Sequence, residues 1–102
     1  MKPNQHSDIV RRLHCAAGHL EAVIKMAEAD EPCEQVLHQL AAVEAAIHAA
    51  GTKVIICEAQ ASQVIILESP SLMQRNTELK RLQSLSTILM KKSNHYSEVS
   101  YD

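Results

Sequence analysis

An all-α protomer of three helices, with the middle one much the longest, is what this sequence predicts, and three observations predict it. Apolar residues recur at three- and four-residue steps through most of the chain. Two breaks, Asp30-Glu31-Pro32 and Ser69-Pro70-Ser71, punctuate that pattern. The 102 residues include no Trp, no Phe and 2 Tyr, so the interior must come from Leu, Ile, Val, Ala and Met. Such a core is thin, and an apolar stripe wider than one short chain can bury predicts a homo-oligomer. Residues 1–102 read as a single domain, with 1–7 and 93–102 as flexible ends.

The first helix is predicted over roughly 8–29. Ser7 is a plausible N-cap before the first-turn acid Asp8, and Ile9, Leu13, Ala16, Leu20, Val23 or Ile24, and Ala27 follow at helical spacing. Asp30-Glu31-Pro32 ends this helix and opens the next, because proline and acids both suit a helix start. The second helix carries the clearest stripe: Cys33, Val36, Leu40, Val43, Ile47, Ala50, Val54, Cys57, Ala61 and Val64. At about 33 residues it would be roughly 50 Å long. Gly51 and the β-branched runs Val54-Ile55-Ile56 and Val64-Ile65-Ile66 lower helix propensity and raise a strand alternative for 53–67. The alternation a half-buried strand needs is poor there, so one long helix is retained. After the Ser69-Pro70-Ser71 turn, Leu72, Leu79, Leu82, Leu85, Leu89 and Met90 predict a third helix to about residue 92, basic on its surface through Arg75, Lys80, Arg81, Lys91 and Lys92.

The formal charge of −2 is unlike that of a compact DNA-binding module. Residues 1–30 set Lys2, Arg11, Arg12 and Lys25 against Asp8, Glu21, Glu28 and Asp30, so charge alone neither nominates nor excludes nucleic acid. Oligomerisation could still gather Arg11, Arg12 and Lys25 of several subunits into one positive strip. Cys15, Cys33 and Cys57 sit in helical patterns rather than in a disulfide framework, which fits a reducing cytoplasm. No signal peptide is apparent, no segment is expected to reach membrane-span length, and no membrane partner is expected.

Cys33 stands out because amide donors at a helix start favour an anion such as a thiolate. Its flanks are Arg11-Arg12-Leu13, Gly18-His19-Leu20, Lys25-Met26 and Val36-Leu37-His38-Gln39-Leu40-Ala41-Ala42-Val43. Together these resemble the small all-helical repressors of the CsoR/RcnR/FrmR family, which leave DNA when a cysteine-based site meets copper, nickel or cobalt, formaldehyde or reactive sulfur. The resemblance covers about residues 9–58. It implies a four-helix dimer core formed by pairing of the long helix, joined as a dimer of dimers, and an effector site shared between subunits. A shared site is also what length requires, since Cys33 and residues 57–62 of one straight helix lie roughly 36 to 44 Å apart.

Carried over by position, Cys33 matches the family cysteine, Glu58 stands where a His is usual, Ser62 where a second Cys or His is usual, and Glu78 where copper sensors carry a supporting glutamate. A transition-metal ion, copper among them, is the cofactor the resemblance implies. Cys, Glu and Ser offer one soft ligand where trigonal copper(I) needs three. Nickel or cobalt sites draw on several imidazoles, and only His6 is near the N-terminus. The formaldehyde version uses an N-terminal proline amine, but Lys2 precedes Pro3; the reactive-sulfur version needs a cysteine at Ser62, and Cys57 lies about 140° round the helix from it. The effector therefore stays open between a metal ion and a thiol-reactive molecule.

Cys15 and Cys57 read as small packing residues. His14, His38, His48 and His95 have no paired ligand spacing with a Cys, and His19 reads as a polar contact where the first two helices cross. For double-stranded DNA the candidates are Arg11, Arg12, Lys25 and Lys53, with Glu44 and Ala49 where relatives add a basic residue. The resulting expectation is a ligand-responsive repressor recognising DNA through phosphates and shape. The rival from another class is a helical oligomeric scaffold that has lost effector and operator. An enzyme is not expected, because no nucleophile, base and orienting group come together.

Overall fold

The computed structural model describes residues 2–97, with side chains through residue 90. Among the described residues there are three α-helices, α1 (Pro3–Glu28), α2 (Cys33–Glu68) and α3 (Leu72–Ser97), and no strand, as the apolar spacing predicts. The chain divides into two units, Lys2–Lys53 and one that begins at Val54, so α1 with the first half of α2 forms one and the rest of α2 with α3 forms the other.

Two boundaries depart from expectation. Helix α1 begins at Pro3 rather than near residue 8, and Ser7 lies inside it instead of capping it. Proline suits the first helical position, since its missing N–H would have no partner there. The start is completed by the Lys2 amide donating to Gln5 Oε1 (3.2 Å) and the His6 amide to the Lys2 carbonyl (2.9 Å). Residues 3–7, expected as a flexible end, are thus helical. Helix α3 continues through Ser97, past the expected end near 92, and the remainder of the expected frayed tail, 98–102, lies outside the described residues. Helix α2 runs unbroken for 36 residues through Gly51 and both β-branched runs, so the strand alternative is excluded there.

In the first unit, the turn from α1 to α2 is a Schellman ending. The Glu31 amide donates to the Met26 carbonyl (3.1 Å) and the Asp30 amide to the Ala27 carbonyl (3.2 Å), with Asp30 in the left-handed region at φ 59°. The Pro32 carbonyl then accepts from the amides of Gln35 (2.9 Å) and Val36 (3.1 Å), which opens α2 with Cys33 as its first residue. So short a turn makes the two helices antiparallel neighbours, and His19 Nε2 meets Gln39 Oε1 at 2.6 Å across them. This is the crossing contact anticipated for His19. Counting outward from it places Ala16 within one residue of the level of Val43, and Ile9 within one residue of that of Ala50, large against small; all four are buried, as is Val23.

The buried residues of α1, Ile9, Ala16 and Val23, repeat every seven positions, and so do Val43, Ala50 and Cys57 of α2. The wider stripes read from sequence are only partly buried within the chain. Leu13, Leu20, Leu40 and Ile47, one turn away, remain exposed. Cys57 is buried as anticipated, whereas Cys15 is exposed within the single chain.

In the second unit, α2 and α3 are joined by the anticipated Ser-Pro-Ser turn. Ser71 caps α3 by accepting from the Gln74 amide (3.2 Å), Ser69 Oγ donates to Gln74 Oε1 (2.6 Å), and Arg75 Nε donates to the Ser69 carbonyl (2.6 Å). A further correction concerns membranes. Helix α2 is long and apolar enough to cross one by length and composition, contrary to the expectation that no segment reaches that length. An apolar helix that buries only part of its surface in its own chain meets the same criteria.

Candidate effector site and nucleic-acid face

The positions carried over from the family fall into both units. Cys33, exposed at the start of α2, belongs to the first. Glu58, Ser62 and Glu78 belong to the second, where they converge. Ser62 is only 1% exposed, and its hydroxyl donates to Glu78 Oε1 at 2.6 Å. Arg81 completes the group: Nη2 donates to Glu58 Oε2 (2.9 Å), Glu78 Oε1 (2.9 Å) and Ser62 Oγ (3.2 Å), and Nε donates to Glu78 Oε1 (3.1 Å).

The geometry follows from helical spacing. Glu58 and Ser62 are four residues apart and share a face of α2, while Glu78 and Arg81 are three apart and share a face of α3. The Ser62 hydroxyl first, and then Arg81, hold the Glu78 carboxyl below its ordinary range, and hydrogen bonds from Arg81 to Glu58 and then Glu78 raise the guanidinium's already high value. Glu78 and Arg81 are therefore charged near neutral pH, and the Ser62 hydroxyl is committed to bonds with both. Arg81 is the member that sequence reading missed, having been taken for general basic surface. The Glu78/Arg81 spacing was its available signal.

On α1, Asp8 links both arginines expected to meet DNA. Arg11 Nη2 lies 2.8 Å from Asp8 Oδ1 and Arg12 Nε 3.0 Å from Asp8 Oδ2. Hydrogen bonds from Arg11 and then Arg12 pull the Asp8 carboxyl below its usual value, and the Arg11 guanidinium is raised in turn. Both arginines keep outward surface, with Arg11 65% and Arg12 44% exposed. Lys25 is exposed in the last turn of α1, where a cation also suits the helix end, and Lys53 is half-buried on α2. All four basic candidates belong to the first unit. Gly18 sits midway between Arg11 and Lys25 on one row of α1, and a Cβ built there meets nothing within 4 Å.

The family model described as a metal-sensitive transcriptional repressor matches residues 5–91. The chain belongs to that family of CsoR/RcnR repressors. No curated relative and no solved structure matches it. Membership gives it a transcriptional repressor's role with DNA as partner, and not an enzyme's.

The family description implies a metal ion, and the donors that converge within one chain do not fit a soft one. No cluster of three or more His, Cys, Asp or Glu among the described residues could hold it. The convergent group offers carboxylates and a hydroxyl rather than soft or borderline donors, and a guanidinium, which has no lone pair to give, already bonds them.

Proposed function

We propose that this repressor is released from DNA by a thiol-reactive effector at Cys33 rather than by coordination of a soft metal. The observation that carries this reading is the donor set: the positions that stand for the family's His and second Cys are Glu58 and Ser62, both bonded with the supporting Glu78 to Arg81, while Cys33 is exposed and Cys57 is buried. An exposed sulfur at a helix start is accessible to an electrophilic carbon or a sulfane sulfur. The thiolate forms the new bond, and the displaced group or the carbonyl oxygen takes the electron pair.

DNA binding rests on Arg11, Arg12, Lys25 and Lys53, acting on phosphates in an assembly of several chains. The exposed row Leu13, Leu20, Leu40 and Ile47 supports a homodimer built on α2, with a dimer of dimers as the larger assembly. Antiparallel pairing of α2 would bring each Cys33 toward the region of residues 57–62 in the other subunit. A cytoplasmic, membrane-free location follows from this reading, in which the apolar surface of α2 is covered by protein.

The test is a band-shift titration on the DNA upstream of the protein's own gene, with copper(I), nickel, formaldehyde and an inorganic polysulfide each added alone. Release by a thiol-reactive compound, lost in Cys33→Ala while DNA affinity is kept, is the expected result. Release by a metal alone, or an unchanged response in Cys33→Ala, would overturn the reading.

A further inference from the structure

We propose that Arg81 is the resident cation of the Glu58–Ser62–Glu78 site, standing where a metal ion would need to sit and closing the site to metals in the unaltered protein. The inference concerns the site's ionic occupancy and does not depend on which effector acts at Cys33.

An ordinary surface ion pair would carry no such meaning, since exposed pairs contribute little and Arg81 is 44% exposed. Two features set this one apart. Its acceptors come from two helices: Glu58 and Ser62 on α2 and Glu78 on its own α3. One of them, the Ser62 hydroxyl, is 1% exposed and donates in turn to the same Glu78 oxygen that accepts from Arg81. The guanidinium thus gathers carboxylate and hydroxyl oxygens of both helices around one positive charge, through hydrogen bonds of 2.9 to 3.2 Å rather than the shorter contacts of a coordinated metal. A cation tethered to the chain also competes at an effective concentration that a free trace ion cannot match. With Arg81 removed, two carboxylates and a hydroxyl remain, an all-oxygen set suited to a hard divalent ion and not to copper(I).

The experiment uses the full chain and reads the site directly. NMR spectra of the wild type record the Arg81 Nε–H, Ser62 and Glu78 signals during separate titrations with Mn²⁺, Zn²⁺ and chelator-buffered copper(I). These signals should stay in place with one equivalent of each metal, and a shift or paramagnetic broadening confined to them would overturn the proposal. In Arg81→Gln, the Ser62 and Glu78 signals should broaden at about tenfold lower Mn²⁺ than in the wild type, from loss of one opposing charge. Adding Glu78→Gln should abolish that gain. A folded Arg81→Gln protein with no gain, or a gain that survives Glu78→Gln, would overturn it as well. Should Arg81→Gln fail to fold, the wild-type titrations decide alone. None of these signals involves DNA or Cys33, so failure of the repressor reading and failure of this one are distinguishable.

Discussion

Gly18 is the residue whose presence the chain itself least explains. A mid-helix glycine costs stability relative to alanine, and a methyl group here would touch nothing within 4 Å. Gly18→Ala should therefore stabilise the fold by ~0.5–1 kcal/mol, measured by urea unfolding. If α1 approaches DNA closely along the Arg11–Gly18–Lys25 row, the same variant should bind DNA more weakly. Asp8 gives the opposite handle, because its carboxylate holds the guanidinium groups that phosphates would take. Asp8→Asn should tighten DNA binding, and an unchanged or weaker affinity would remove Arg11 and Arg12 from the interface. At this scale sequence reading found Cys33, Glu58, Ser62 and Glu78 as positions but not what joins three of them. Position in a helix can be counted from sequence; that Arg81 faces its neighbour across α2 and α3 depends on the register the Ser69–Ser71 turn imposes.

Helix existence and order were legible because apolar spacing is a property of each segment alone. Helix ends were less so. The start at Pro3 rests on a cap made by backbone groups of Lys2 and a Gln5 side chain, which competes with the equally plausible Ser7. Likewise, the stripe on α2 marks every apolar position, while in the first unit only Val43 and Ala50 of that stripe are buried beside α1. The link between α2 and α3 has a pH dependence of definite sign. Glu78 has a folded value below the ordinary glutamate value of 4.5, so its contribution is fully present above that pH and is lost as the pH falls through the lower folded value. Thermal melts should thus decline in acid solution below about pH 4.5, and Glu78→Gln should flatten part of that decline. A wild type and variant with parallel melting curves from pH 3 to 6 would show that the carboxylate does not contribute.

For the whole molecule, the exposed row Leu13, Leu20, Leu40 and Ile47 is the surface that the proposed homodimer would cover. On the proposed homodimer, Leu40→Asp with Ile47→Asp should yield a smaller species by sedimentation and a loss of helical signal together, since its core would be shared between subunits. Folded, monomeric behaviour of the unaltered chain at micromolar concentration would rule out the shared core. Affinity for DNA should fall steeply with added salt, and Arg12→Ala should weaken binding to all sequences by a similar factor and reduce the salt slope by about 1. The way Arg81 is held between Glu58 and Glu78 also constrains the order in which such a site can change over generations. Gaining His at 58 and Cys at 62 would set new ligands against a guanidinium that remains anchored to Glu78, so those two steps alone bring little advantage. Loss of Arg81 has to come first or alongside, which makes the three positions epistatic: Glu58→His with Ser62→Cys should acquire copper(I) affinity only when combined with Arg81→Met.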